Sequence, residues 1–318
     1  MQIIENIKSP LAEQISEFLS NTNIGEYHIA AIAPDWSARN YYRIKAKEKS
    51  YILMHCPPNY QSLDSYIAAT EFFLDNGFSV PKIFTNNKKY GFLLLSDFGE
   101  LKLNKLINIK SHKTQKLYSL ALDNLIKLNS ISTTNYNFPK HDFEKISDGF
   151  TLYQTQCLAT KHHQEFQKLY TKLLSSLNTE QTVLVHRDYH LDNLFFLEKE
   201  TGYRQIGIID HQDLSLGYAS YDLVSLLQDA RRYVTIEEQQ QYYNYFTKQI
   251  DNLDTDYFAL EYEIFSLQRN LRIIGLIHKY IKEKGRNSLK HYVATCQKYL
   301  GQNYKNPLIK KIIKICEI

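Results

Sequence analysis

Asp188, Asn193 and Asp210 are the residues of this chain whose types and spacing point most directly to chemistry. An apolar run, Val183–Val185, leads into His186-Arg187-Asp188-Tyr189-His190-Leu191-Asp192-Asn193, and a second apolar run ends at Ile209, just before Asp210. A carboxylate at Asp188 can accept or orient the proton of an attacking hydroxyl. The amide oxygen of Asn193 and the carboxylate of Asp210 are hard oxygen ligands of the kind that suit Mg²⁺. Phosphoryl transfer asks a protein for little more than this, because most of its catalysis is positioning and charge neutralisation. His186 and His190 have a spacing found in zinc sites, but no thiolate or third imidazole accompanies them in the loop, so zinc is not expected. No residue here is set up as a covalent nucleophile.

Bringing three such groups to one point requires strand ends. Residues 194–197 and 205–209 read as a two-stranded hairpin, so Asp188, Asn193 and Asp210 all fall where strands stop and can converge. Upstream, runs at 28–33, 41–46 and 51–55 are rich in Tyr and Ile and separated by turn-prone segments, which predicts an antiparallel meander. A helix is expected to start at Ser9-Pro10, with Ser as cap and Pro in the first turn. Another is expected over 62–76, closed by Gly77, followed by strands near 83–85 and 92–95. From about residue 101 to 182 the chain reads as mainly helical, with amphipathic stretches at 112–130 and 161–177. Helical patterns then resume to the end, including 220–232, 236–250, 257–282 and 288–300. The expected fold class is therefore α+β in two lobes. A small β-rich lobe over 1–96 would bind nucleotide, and a larger helical lobe over 97–318 would hold the catalytic loop and the acceptor. The cleft between two lobes is the default ligand site.

Composition narrows the field. At 318 residues the chain can bury a large core, and a net charge of +4 from 38 basic and 34 acidic residues is too mild to argue for nucleic acid or an anionic membrane. The cysteines Cys56, Cys157, Cys296 and Cys316 are scattered, so reduced thiols are expected, and the N-terminus lacks the apolar core of a secretory signal. A cytoplasmic monomer acting on a small molecule is the expectation. Only 11 glycines are present, and no G-x-G-x-x-G or Walker A sequence can be drawn through them. A nucleotide must be held without those cradles.

An H-R-D triplet followed five residues after its Asp by Asn is the arrangement of the protein-kinase catalytic loop, with Asp210-His211-Gln212 where those enzymes carry Asp-Phe-Gly. Together with Tyr221-Asp222-Leu223-Val224-Ser225-Leu226-Leu227, this region resembles the aminoglycoside phosphotransferase-like kinases. Three further stretches resemble the anomeric amino-sugar kinases among them, which phosphorylate N-acetylmuramate and N-acetylglucosamine in peptidoglycan recycling. They are Asp35-Trp36-Ser37-Ala38-Arg39-Asn40-Tyr41-Tyr42-Arg43, then Tyr51-Ile52-Leu53-Met54 with Pro57-Pro58, and Leu267 to Gly275. The resemblance implies ATP and Mg²⁺ as cofactors, a protein-kinase-like fold and an amino sugar as acceptor. It also implies Asp188 as the group that handles the hydroxyl proton, Asn193 and Asp210 as metal ligands, and Asp222 as support for the catalytic loop. One departure stands out. Met54 sits where kinases carry the Lys that meets the nucleotide phosphates, and the turn over 35–42 contains no glycine although it takes the place of their Gly-rich loop.

The remaining assignments are expectations. Ser37, Arg39, Arg43 and Asp97 are candidates for the nucleotide, with Arg39, Arg43 or Lys45 supplying the missing positive charge. Asp213, Asp229, Arg231 and Arg269 could reach the acceptor, and His186 would brace the loop. Two rival readings remain: a kinase of another small alcohol, such as an aminoglycoside, choline or homoserine, and a pseudokinase. An acid-rich pocket for a polycationic aminoglycoside is not evident, and a pseudokinase should have lost a group that is present here.

Overall fold

The computed structural model describes residues 3–4, 9–32, 39–47, 49–57, 63–109, 113–133, 137–180 and 182–318. The chain begins with β1 (Ile3–Ile4), α1 (Ser9–Ser20), β2 (Tyr27–Ala31), β3 (Asn40–Ala46) and β4 (Ser50–His55). It continues through α2 (Leu63–Asp75), β5 (Ile83–Asn87), β6 (Phe92–Ser96), α3 (Leu103–Ile109), α4 (Thr114–Asn129), α5 (Phe143–Cys157) and α6 (His163–Leu174). Four short strands follow: β7 (Val183–Val185), β8 (Leu194–Phe196), β9 (Ile206–Ile208) and β10 (Ser215–Gly217). The last helices are α7 (Ala219–Leu227), α8 (Ile236–Thr247), α9 (Thr255–Lys284), α10 (Lys290–Leu300) and α11 (Pro307–Ile315). These elements form two compact units, Met1–Ile109 with Asn193–Asp213, and Lys110–Asp192 with Leu214–Ile318.

The first unit is built on a six-stranded sheet in the order β1-β2-β3-β4-β6-β5, antiparallel except for the β1–β2 pair. Side chains alternate across it. Ile44, Leu53, Phe92 and Leu94 join Ile15, Phe18 and Leu19 of α1 on one face, while Met54, Leu93 and Leu95 meet Leu63 and Tyr66 of α2 on the other. A strand covered on both faces reads as a continuous apolar run rather than an alternating one, which is why Phe92-Leu93-Leu94-Leu95 shows no period of two. Gly77 ends α2 with φ at 78°, a conformation that favours glycine, and its N–H donates to the Leu74 carbonyl at 3.0 Å.

The hairpin of β8 and β9 belongs to this unit, so the division differs from a single crossing near residue 97. Ile208 N–H donates to the Ser79 carbonyl at 2.8 Å, and Phe196 N–H donates to the Leu101 carbonyl at 2.8 Å. Gly207 is required at this contact: a Cβ there would stand 2.7 Å from the Phe98 ring.

The second unit is helical, apart from β7 paired antiparallel with β10. Its longest element, the 30-residue α9, packs against α5 so closely that a Cβ on Gly275 would lie 2.8 Å from the Tyr153 nitrogen. Ile146, Phe150 and Tyr153 of α5 share a core with Ile264, Leu267 and Leu271 of α9. Helix α7 is shorter than the 220–232 pattern suggests and stops at Leu227. Among the described residues no helix is long and apolar enough to cross a membrane.

Candidate active site

In the second unit, Asp188 sits on a loop fixed through its backbone. His186 N–H and Arg187 N–H donate to the two carboxylate oxygens of Asp222 at 2.5 and 2.9 Å. Asp222 lies in the first turn of α7 and is fully buried. Burial pushes its carboxyl up, against the opposing pull of His186, Arg269 and the two amides. Arg187 holds φ at 72°, a left-handed conformation that a side chain adopts at a cost and that marks functional loops. Asp188 N–H donates to His186 Nδ1 at 3.2 Å, so that nitrogen is the unprotonated one. The buried Tyr189 ties the loop to α4 by donating to the Ala121 carbonyl at 2.8 Å.

The Asp188 side chain keeps 48% of its exposure. It is nevertheless closely surrounded by protein, and burial alone would raise its carboxyl. His190, whose Nε2 lies 3.3 Å from Asp188 Oδ2, outweighs burial together with Arg269 and His186, and the carboxyl falls well below the usual range. The effect is mutual: burial would lower His190, but Asp188 raises it. A carboxylate held that low is a weak base. It is suited to orient a hydroxyl and to take its proton only as negative charge leaves the attacking oxygen.

The first unit holds the two metal-ligand candidates. Asn193 precedes β8 and Asp210 follows β9 after one residue, and Ile209 N–H donates to the Asn193 carbonyl at 3.0 Å, so the hairpin brings both to the same end. One amide and one carboxylate form a hard oxygen pair. Mg²⁺ typically takes one or two protein oxygens and fills its remaining positions with phosphate and water, so the donor set fits that ion. Among the described residues, no group of three or more His, Cys, Asp or Glu side chains forms a metal cage. Asp210 also has a left-handed backbone, with φ at 60°.

Of the two candidate arginines, Arg39 is the one placed at this end. Its Nη1 lies 3.2 Å from Asp210 Oδ1, and its side chain is 5% exposed. Burial opposes its charge, but Tyr41, Asp210 and Cys56 outweigh that and raise it further. The Tyr41 hydroxyl is pushed up to about 12 by burial and by Asp210. Arg43 faces elsewhere: its Nε lies 2.8 Å from Asp97 Oδ2, its Nη2 donates to the Gly99 carbonyl at 3.0 Å, and Nη1 pairs with Glu100. Asp97 also accepts from Gly99 N–H at 2.8 Å and from Ser50 Oγ at 2.5 Å, so it braces the segment after β6. Lys45 is exposed, and Ser37 lies outside the described residues.

The acceptor candidates separate. Asp229 and Arg231 sit in a turn after α7, where Asp229 Oδ1 accepts from Arg231 N–H at 2.9 Å and from Arg231 Nη1 at 3.2 Å. That local bond competes with helical pairing and accounts for the early end of α7. Arg231 Nε also meets Asp192 at 2.9 Å. Asp229 Oδ2 is buried and has no hydrogen-bond partner among the described residues. Arg269 instead supports the loop: it donates to the Arg187 carbonyl at 3.3 Å and to Ser225 Oγ at 2.6 Å, with its guanidinium over the Tyr221 ring. Asp213 is exposed and accepts from Gln212 at 3.2 Å. Sequence reasoning gave no site role to His190, Asp192 or Tyr41. The two-residue step from Asp188 to His190 was the available signal for the first.

Known proteins bear on these arrangements. The phosphotransferase enzyme family matches residues 28–259. An N-acetylmuramate/N-acetylglucosamine kinase from Caulobacter vibrioides is 23% identical, across 93% of this chain and 93% of that protein. The solved choline kinase from Streptococcus pneumoniae has a TM-score of 0.66 at 15% identity, covering 92% of this chain and 98% of its own. A spectinomycin phosphotransferase solved with ADP and spectinomycin has a TM-score of 0.61 at 14% identity, covering 98% of this chain and 99% of its own. The fold is the protein-kinase-like α+β fold that the catalytic loop pattern implied. With the match spanning most of its length, the chain belongs to the phosphotransferase enzyme family and is a kinase with an alcohol group as acceptor.

Proposed function

We propose that this kinase transfers the γ-phosphoryl group of ATP to the anomeric hydroxyl of N-acetylmuramate or N-acetylglucosamine, as a cytoplasmic monomer serving peptidoglycan recycling. The observation that carries the reading is Asp188 itself: an ionised, half-exposed carboxylate on a loop whose backbone is clamped to the buried Asp222. Such a group orients an incoming hydroxyl and receives its proton late in transfer. The names of the relatives along nearly the whole chain support an amino sugar, and the ADP held by a solved neighbour supports ATP.

The first unit takes the nucleotide and the second the acceptor. Asn193 and Asp210 hold Mg²⁺, which when bound neutralises charge on the phosphates. Arg39 supplies the cation that the buried Met54 does not, alongside Ser37. Arg43 and Asp97 fix the segment after β6, whose backbone reads the adenine edge. Asp229 Oδ2 accepts from a sugar hydroxyl or amide, because a buried carboxylate oxygen without a donor is costly until a ligand supplies one. Arg231 holds Asp229 in that pose, Asp213 contributes from the end of its segment, and Arg269 acts through the loop backbone.

The test is transfer of labelled phosphate from Mg·ATP to a panel of amino sugars, aminoglycosides and choline, with Asp188→Ala as control. Transfer to N-acetylmuramate or N-acetylglucosamine is expected, falling at least ~10²-fold in the variant, as loss of a positioned acid or base implies. Transfer to an aminoglycoside alone overturns the acceptor, and near-normal activity in the variant overturns the role of Asp188.

A further inference from the structure

The segment that carries Asp210 is tied to α2 by a side chain that kinases of the Asp-Phe-Gly pattern do not have. His211 is fully buried, and its Nε2 lies 2.7 Å from Thr70 Oγ1. Thr70 Oγ1 in turn lies 2.8 Å from the Tyr66 carbonyl, one turn back along the same helix. A threonine hydroxyl has one proton. Given to the Tyr66 carbonyl, it leaves the oxygen as acceptor toward His211, so Nε2 carries the hydrogen of the second bond. The rings of Tyr66 and Phe73 flank the imidazole at centroid distances of 4.7 and 5.6 Å. Positions 66, 70 and 73 are spaced by four and three residues and so share one face of α2.

This arrangement bears on the neighbouring residue. Asp210 holds a left-handed backbone at φ 60°, a conformation that persists in a non-glycine residue only where its surroundings enforce it. Anchoring the imidazole restricts the peptide joining Asp210 to His211, because only the two side-chain torsions and φ of His211 separate ring from peptide. A phenylalanine could fill the same apolar recess but has no donor to set its rotation about the recess. The usual strand lysine that links such a site to its helix is replaced by Met54, which is fully buried against α2.

We propose that His211 and Thr70 are positioning residues: their hydrogen bond latches the Asp210 carboxylate in its metal-holding pose and couples that pose to α2. This rests on the reading of Asp210 as an Mg²⁺ ligand. Losing one such bond should weaken metal binding about 3- to 10-fold, the range expected for a net hydrogen bond in a folded protein.

The test measures Mn²⁺ affinity by electron paramagnetic resonance in the presence of ADP, alongside the Mg²⁺ concentration for half-maximal phosphoryl transfer. Thr70→Val and His211→Phe should each weaken Mn²⁺ about 3- to 10-fold. Both should raise the Mg²⁺ requirement by the same factor and leave KM for the acceptor unchanged. Thr70→Ser, which keeps the hydroxyl, should restore the unaltered values. The double variant should be no worse than either single one, because both remove one bond. Unchanged Mn²⁺ affinity in folded Thr70→Val and His211→Phe, or additive losses in the double variant, overturns the latch. Asp210→Ala separates the two readings. If it abolishes Mn²⁺ binding while Thr70→Val binds normally, the latch fails alone; if Asp210→Ala binds Mn²⁺ normally, the metal assignment fails with it.

Discussion

The backbone of the loop carrying Asp188 is clamped onto a buried carboxylate, whereas the segment carrying Asp210 adds side-chain contacts to the backbone bond from Ile209 N–H to the Asn193 carbonyl. In the first case, two peptide N–H groups end on a carboxylate with no exposure, and a buried tyrosine ties the loop to α4. In the second, a guanidinium rests on one carboxylate oxygen and an imidazole on a threonine. Each region contains one residue in the left-handed region, Arg187 at 72° and Asp210 at 60°. A backbone clamp to buried charge cannot open without orphaning amides and a carboxylate together. The guanidinium contact can be exchanged for a ligand, while the imidazole keeps the segment in place. The contrast fits the division of labour in phosphoryl transfer: the group that meets the hydroxyl needs a fixed direction, while the metal end must accept and release a nucleotide in every turnover.

The largest effect tests the clamp. Asp222→Ala leaves the His186 and Arg187 amides without acceptors, at about 1–3 kcal/mol for each buried group, so an overall loss of about 2–6 kcal/mol is expected in chemical unfolding. Unaltered stability in that variant would show that the loop is held by something else, and the contrast between the two regions would collapse.

A smaller effect tests the exchangeable side. Arg39→Gln should raise KM for ATP about 10- to 100-fold, the value of a charge-assisted hydrogen bond to phosphate. Arg43→Gln should lower the melting temperature and leave KM for ATP within a few-fold, because Arg43 is spent on Asp97, Gly99 and Glu100. Equal rises in KM for the two variants would erase the distinction between the arginines.

Much of this was legible in the residues. Asp188, Asn193 and Asp210 announce themselves by spacing, and the meander and hairpin follow from short β-branched and aromatic runs. The strand β10 was not legible, because three residues reading Ser-Leu-Gly carry no period and depend on β7 for pairing. Helices α5 and α11 fell only within general helical readings and were not singled out, although Ile309 and Ile312 bury one face of α11. The separate fates of Arg39 and Arg43 were invisible for another reason. Both lie on one short stretch, four residues apart, and only the fold shows that one meets Asp210 and the other Asp97. The latch was equally hidden, since Thr70 and His211 are 141 residues apart and neither type signals the other.

The smallest effect concerns proton uptake around the clamped loop. Burial lowers His141 to about 3, helped by the nearby charges of Arg187, Arg272, Arg269 and Lys145, and its ring stacks edge-on against Tyr221 at 4.5 Å. In the unfolded chain a histidine titrates near 6.5, so between those values the unfolded state binds a proton that the folded state refuses. Stability from this group therefore falls as pH drops below about 6.5, by up to about 1.4 kcal/mol per pH unit. His190 has the opposite sign. Burial disfavours its proton, but Asp188 outweighs burial and raises it, with Arg231 and Asp229 also facing it. Its contribution is complete below its unfolded value and is lost as pH rises through its folded one. The two histidines thus make stability depend on pH with opposite signs. Chemical unfolding followed across pH should show His141→Gln flattening the acid limb, and His190→Gln removing the loss on raising pH while also changing the acid limb, because Asp188 is no longer held low. Parallel curves for both variants and the unaltered chain would mean that neither imidazole is coupled to the fold, and the fixed character of the Asp188 region would then rest on Asp222, Tyr189 and Arg269.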